Sequence, residues 1–315
     1  MGGLEGRPGP ARHVDSFTGT EVVVGATGRD RWRVLADLVA LTKPRVVLMV
    51  LVTTVVGYYV ALPGAPHYAQ ALHLVLGTLL AAGGAMALNQ YRERDVDARM
   101  SRTRTRPLPD GRLMPAEALA FGTALGVAGV AYLALCVSAL AAVVTGATLV
   151  LYVFAYTPLK LRTPLCTLVG AVPGALPPVS GWVAARDDAG VGAWVLFGIL
   201  FLWQLPHTLA IARLYAADYA RAGVRVLPVV DPASPRTERH MVAGSCALLA
   251  VSLLPTVTGL TGLIYGSGAL VLGTGLTLLA LAQARTPSAV GARRVLFASL
   301  LYLPALLALL AFDRV

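Results

Sequence analysis

"HYAQALHLVLGTLLAAGGAM" (residues 67–86) and, two residues later, "NQYRERDVDARMSRTRTRPLP" (residues 89–109) form one sharp contrast. The first stretch holds no Asp, Glu, Lys or Arg; the second holds nine charged side chains in 21 positions. An apolar run of about 20 residues is the length of helix that crosses the hydrocarbon of a bilayer. A dense cluster of both signs at its end marks the return of the chain to water.

The rest of the chain repeats the apolar half of this pattern. Its 315 residues are 57% hydrophobic and 13% charged, with a mean hydropathy of +0.70. Soluble domains carry about 25% charged residues, so composition excludes an ordinary soluble domain. The net charge of +10 does not indicate nucleic acid, because the cations are confined to loops between apolar runs. Cys136, Cys166 and Cys246 lie far apart in apolar stretches with no CxxC spacing, which reads as buried hydrophobes. Only Lys43 and Lys160 are lysines, against 24 arginines, a bias that suggests a GC-rich bacterial genome.

Nine spans follow from length and hydropathy: 45–62, 69–90, 115–135, 138–157, 164–184, 192–212, 240–260, 264–283 and 294–311. Residues 1–37 read as a disordered cytoplasmic tail, since Glu5, Asp15, Glu21 and Asp30 argue against a transit peptide and no short apolar signal core precedes the first span. Residues 38–315 read as one membrane domain. With the N-terminus inside, 24 of the 26 Lys and Arg side chains fall in inside segments, leaving only Arg186 and Arg314 outside. That asymmetry predicts a cytoplasmic N-terminus and an outside C-terminus.

Orientation alone accounts for arginines such as Arg112, Arg236 and Arg294. It does not account for Glu93, Asp95 and Asp97, because acidic residues contribute little to orientation. If the second span continues as helix, Asn89, Glu93 and Asp97 share a face at i, i+4 and i+8. Asn89 lies in the apolar end of the span, so the face should turn inward, where an amide finds partners. Eight residues of helix at about 1.5 Å each separate the outer two by about 12 Å. One reading is a ladder of hard oxygen ligands for a diphosphate with one or two Mg²⁺, an ion that takes one or two carboxylates and completes its shell with phosphate and water. The other is a set of surface ion pairs with Arg92, Arg94 and Arg99. Arg102 and Arg106 follow, before the helix-breaking Pro107, and guanidinium forks suit phosphate oxygens. Carboxylates for metal followed by arginines for an oxyanion favour the diphosphate reading.

The loop after the sixth span, "WQLPHTLAIARLYAADYARAGVRVLPVVDP" (203–232), has the same mixture: Arg213, Asp218, Arg221, Arg225 and Asp231. Asp218 is the candidate for a further metal-binding carboxylate. Pro206 is expected to interrupt the sixth span beside His207. That histidine is either a functional group at membrane depth or a neutral ring satisfied by a backbone carbonyl. The fifth span holds Pro173, Pro177 and Pro178, with Gly170 and Gly174 at GxxxG spacing, and reads either as a packing kink or as a pocket wall.

Five segments together resemble the UbiA superfamily of intramembrane prenyltransferases, and within it the heme-modifying branch. They are "LTKPRVVLMVLVTTVVGYYVA" (41–61), the 89–109 cluster, "YTPLKLRTPLCTLVGAVPGALPPVSGW" (156–182), "WQLPHTLAIARLYAADYARAGVRVLPVV" (203–230) and "SLLYLPALLALLAFDR" (299–314). The resemblance implies an all-α, multi-pass fold of nine helices around a central prenyl-diphosphate pocket that opens at the cytoplasmic face of the bacterial inner membrane. It implies farnesyl transfer from farnesyl diphosphate to a vinyl group of heme B, with water addition, giving heme O, and it brings heme A synthase in as a partner. It assigns Asn89, Glu93, Asp97 and Asp218 to Mg²⁺, and Arg102 and Arg106 to the diphosphate. His207, Arg213, Arg221 and Lys160 become substrate-binding candidates, with His207 either a heme ligand or a proton-transfer group. Glu93 stands where the family usually has aspartate, Ala222 where a paired aspartate often stands four after Asp218, and Cys166 where asparagine is common. The competing readings are a relative using an aromatic acceptor and a transporter with a midplane ion site.

Overall fold

The computed structural model describes Gly2 and residues 31–315. The elements are α1 (Arg31–Leu41), α2 (Pro44–Ala61), α3 (Tyr68–Asp97), α4 (Pro115–Cys136), α5 (Ala139–Leu159), α6 (Cys166–Arg186), α7 (Val191–Leu214), α8 (Ala216–Arg221), α9 (Leu227–Val230), α10 (Arg236–Val257), α11 (Leu263–Arg285) and α12 (Ala289–Phe312). Among the described residues there is no strand beyond one isolated bridge, Thr261 to Arg314. Among the described residues nine helices are long and apolar enough to cross a membrane, and each overlaps one expected span. The outer surface is itself apolar, with Leu135 86% and Val271 71% exposed, a condition stable only against lipid.

Three features depart from expectation. Residues 31–37, assigned to the disordered tail, belong to α1, which docks through Leu38 and Leu41 on Ala87, Leu113 and Ala118. Arg112 reaches Asp37 at 3.1 Å and ties α1 to the loop after α3. Of the remaining tail, residues 1 and 3–30 lie outside the described residues. Second, α7 runs unbroken through Pro206. The break falls in α6 instead, at Leu176, between Pro173 and the Pro177–Pro178 pair. Third, two helices start several residues before the expected spans: α10 by four residues, because "RTER" (236–239) is already helical, and α12 by five, at Ala289.

Small residues set the closest helix contacts. A methyl group at Gly181 of α6 would lie 1.9 Å from the Thr54 carbonyl oxygen of α2, and one at Gly84 of α3 would lie 2.4 Å from the Gly126 nitrogen of α4. Without a hydrophobic drive between helices in lipid, such backbone approach supplies the packing. Within α5 the turn Leu151–Tyr156 is a π-helix, and it resets the register of Tyr152, Tyr156 and Lys160 where the helix leaves the core.

Candidate active site

The polar end of α3 builds the site. The helix continues past the apolar run to Asp97, so Asn89, Glu93 and Asp97 share a face as the spacing required. That face turns inward. Asn89 and Asp97 are buried, at 0% and 1% exposure. Each of the three groups meets a partner from a different part of the chain.

Both polar atoms of Asn89 are engaged. Its Oδ1 accepts from Lys43 Nζ at 2.8 Å, and its Nδ2 donates to Thr157 Oγ1 at 3.1 Å. Lys43 precedes Pro44 yet sits in the left-handed region (φ 49°, ψ 66°), where a non-glycine residue before proline is doubly disfavoured. A conformation of that kind persists only where its surroundings impose it. Here it delivers the ammonium to the α3 face. Burial, and next the nearby Arg106, pull the Lys43 pKa down to about 8.

One turn on, Glu93 Oε1 lies 2.6 Å from Lys160 Nζ. Lys160 also stands 4.5 Å from the Tyr156 ring centroid, a cation–π contact set up by the π-turn. Burial works against the Lys160 charge, but the surrounding Tyr156, Glu93 and Tyr152 outweigh it and the net direction is upward. At the helix end, Asp97 Oδ2 lies 2.6 Å from Arg106 Nη1. The loop after α3 folds back to make this pair: Thr103 Oγ1 donates to the Asp97 carbonyl at 2.9 Å, and the Arg106 N–H donates to the Thr103 carbonyl at 3.0 Å.

The second loop docks on the first. Ser101 Oγ donates to Asp218 Oδ1 at 2.9 Å and approaches Oδ2 at 3.1 Å, while Arg221 pairs with the same carboxylate. The Ser101 hydroxyl, with Arg221 and Arg102 nearby, holds the Asp218 carboxyl below the usual range. Met100, Ala222 and Val224 close a small apolar clip beneath this contact. The Arg225 N–H reaches the Lys160 carbonyl at 2.7 Å, so the loop also touches the α5 end.

The structure therefore gathers Asn89, Glu93, Asp97, Arg106 and Lys160 in one network, and Ser101 ties Asp218 to the loop that carries Arg106. Arg102 lies at the exposed rim, 5.4 Å from the Tyr215 ring centroid. Arg213 is not in the network: it pairs with buried Glu238 at 3.0 Å and ties α7 to α10. His207 lies deeper in α7, stacked on Trp203 at 4.6 Å with Nδ1 2.9 Å from Ser299 Oγ. Its partner is thus a hydroxyl on α12 and not the backbone carbonyl of the bland expectation. Lys43, Ser101 and Thr157 were missed as site residues.

Among the described residues no three Asp, Glu, His or Cys side chains converge as a protein-only metal cage. Each carboxylate is held by a cation instead. Oxygen donors in this number still fit Mg²⁺, which takes one or two carboxylates and draws its remaining ligands from phosphate and water.

Residues 50–310 match the model of the UbiA prenyltransferase family. The chain is 46% identical over 289 residues to the protoheme IX farnesyltransferase of Solibacter usitatus (strain Ellin6076), covering 89% of this chain and 99% of that one. It is 43% identical over 283 residues to the protoheme IX farnesyltransferase of Myxococcus xanthus (strain DK1622), covering 90% and 96%. In fold it resembles a digeranylgeranylglyceryl phosphate synthase, with a TM-score of 0.75 at 14% identity over 89% of this chain and 98% of that one. It also resembles a UbiA homologue from Archaeoglobus fulgidus bound to GPP and Mg²⁺, with a TM-score of 0.64 at 14% identity over 87% and 99%. With nine apolar helices and a charged network at one end of α3 already in place, the match over most of the chain leaves one assignment: the chain belongs to the UbiA prenyltransferase family.

Proposed function

We propose that this chain transfers the farnesyl group of farnesyl diphosphate to a vinyl group of heme B, with addition of water, releasing diphosphate and giving heme O. The observation that supports this most is the convergence of Lys43, Asn89, Glu93, Asp97, Arg106 and Lys160 at one end of the helix bundle. The protoheme IX farnesyltransferases of Solibacter and Myxococcus, aligned over nearly their whole length, supply the acceptor and the prenyl donor.

In this reading Asn89, Glu93, Asp97 and Asp218 hold one or two Mg²⁺ ions. Bound there, the metal neutralises diphosphate oxygens and so favours departure of the leaving group. Lys160 and Arg106 are then the cations that exchange carboxylate for phosphate oxygens as the substrate enters, and Lys43, now on the Asn89 amide, and Arg102, at the rim, add to them. The allylic C–O bond breaks, its electron pair leaves on the diphosphate, and preorganised ammonium and guanidinium groups receive the growing charge. The vinyl π pair closes the new C–C bond, and water adds to the resulting cation with loss of a proton. The apolar spans keep other water from the carbocation before then.

His207 orients the heme. With Nδ1 engaged by Ser299, Nε2 is the nitrogen left for the iron. Arg221, exposed beside Asp218, serves the acidic groups of the substrates, while Arg213 keeps its pair with Glu238. The site faces the cytoplasm across a bacterial inner membrane, with the N-terminus inside and the C-terminus outside, as the confinement of cations to one set of loops implies. The product passes to the enzyme class that oxidises heme O, which makes heme A synthase the natural partner.

The test offers the full chain in membranes heme B and 4-hydroxybenzoate as competing acceptors with farnesyl diphosphate and Mg²⁺. The expected result is a farnesylated heme and no farnesylated benzoate. Exclusive benzoate modification would replace heme with an aromatic acceptor.

A further inference from the structure

The opposite end of the bundle carries a recess of about 270 Å³. It lies where α6 ends, α7 begins and the link after α10 turns, and it is remote from the charged network on α3. Three features of it point to a ligand. The indole of Trp182 is 3% exposed and lines the recess, yet its Nε1 has no hydrogen-bond acceptor. A buried donor without an acceptor is costly and rare. The nitrogen-bearing edge faces Gly190, where an added methyl group would sit 3.8 Å from Nε1, and the benzo edge packs under Gly192.

The same two glycines open α7, a 24-residue helix whose N-cap Gly190 supplies no side-chain cap. The Ala193 N–H already donates to the Gly190 carbonyl at 3.0 Å, which leaves the N–H groups of Val191 and Gly192 for a ligand, and the helix dipole favours negative charge there. Arg186 lies over the Trp182 ring at 5.7 Å and spends one N–H on the Ala61 carbonyl at 3.2 Å, leaving donors to spare. Among the described residues, Arg186 and Arg314 are the only Lys or Arg side chains outside the segments of the charged face. An acid is also present: Asp188 Oδ1 accepts the Gly190 N–H at 2.9 Å, which leaves Oδ2 uncommitted.

We propose that this recess binds a zwitterionic phospholipid headgroup, its phosphate on the Trp182 indole, the Arg186 guanidinium and the start of α7, and its ammonium on Asp188. The surroundings favour a lipid over free phosphate. Val191 lines the recess at 70% exposure, and Val257, next in the chain to the lining Thr258, is 77% exposed, an apolar border suited to acyl chains. Arg and Trp at the lipid–water boundary are the usual anchors for such a headgroup.

Native mass spectrometry of the full chain released from nanodiscs of mixed phosphatidylethanolamine and phosphatidylglycerol tests this. The wild type should retain one phosphatidylethanolamine. Trp182→Phe keeps the ring but removes the donor, and should lower retention about tenfold, the loss of one charge-assisted hydrogen bond. Asp188→Asn, at an exposed position, should keep a bound lipid but shift its identity toward phosphatidylglycerol. Farnesyl transfer measured on the same samples verifies that each variant is folded. A wild type that retains no lipid, or variants that retain it unchanged, would overturn the site. Displacement of the lipid by millimolar inorganic phosphate would overturn the lipid in favour of the free anion.

Discussion

Lys43 and Lys160 are the only lysines among 26 basic side chains, and both end in the α3 network. Their scarcity reads naturally as a codon bias, and that reading hid Lys43, which lies 46 residues before its partner Asn89. Asn89, Glu93 and Asp97 were legible because helical spacing puts them on one face. Lys160 was legible only through the resemblance, because its contact with Glu93 bridges 67 residues. Arg213 misled for the opposite reason: it stands in a charge-rich stretch of sequence, but it lies in the last turn of α7, and its pairing with Glu238 is a tertiary fact. Two predictions belong to single residues. Lys43→Met should raise the KM for farnesyl diphosphate about 10- to 100-fold, the worth of a hydrogen bond to a charged group, in a steady-state titration of the prenyl donor. Asp97→Asn keeps the side-chain volume beside Arg106 but removes the charge, and should lower transfer by at least about 100-fold with unchanged membrane abundance on an immunoblot.

Elements decide whether those residues meet. The nine spans were readable because lipid imposes length and hydropathy directly. The places where reading failed are the places where packing decides. A proline is no guide to a break: α7 absorbs Pro206, while α6 yields at Leu176 beside three prolines. The helix α1 carries no apolar run long enough to announce itself and forms on a ledge made by Ala87, Leu113 and Ala118. Two experiments probe elements. Gly181→Val should prevent α2 and α6 from approaching, since even a methyl group there meets the Thr54 carbonyl at 1.9 Å; the expected outcome is loss of folded protein by size-exclusion chromatography. Met100→Asp should separate the two polar loops by charging their apolar clip, and should reduce kcat while the spans stay intact by circular dichroism.

At the scale of the whole molecule, one end of the bundle holds the charged network in which we place the chemistry. The links after α1, α3, α5 and α7 bring Lys43, Arg106, Lys160 and Asp218 together, while the other end holds the headgroup recess. This polarity was visible in the distribution of cations along the chain, but the docking of the two loops through Ser101 was not, because a serine between arginines carries no signal of its own. The central claim is that these cations and oxygen donors at one end receive a diphosphate and release its prenyl group to heme. Its most direct measurement is the mass of the porphyrin formed when the full chain in nanodiscs is given heme B, farnesyl diphosphate and Mg²⁺, alongside Asp97→Asn. The account predicts a porphyrin heavier by one farnesyl group and one water with the wild type, and unmodified heme with the variant. Unmodified heme from both, or equal product from both, would contradict it.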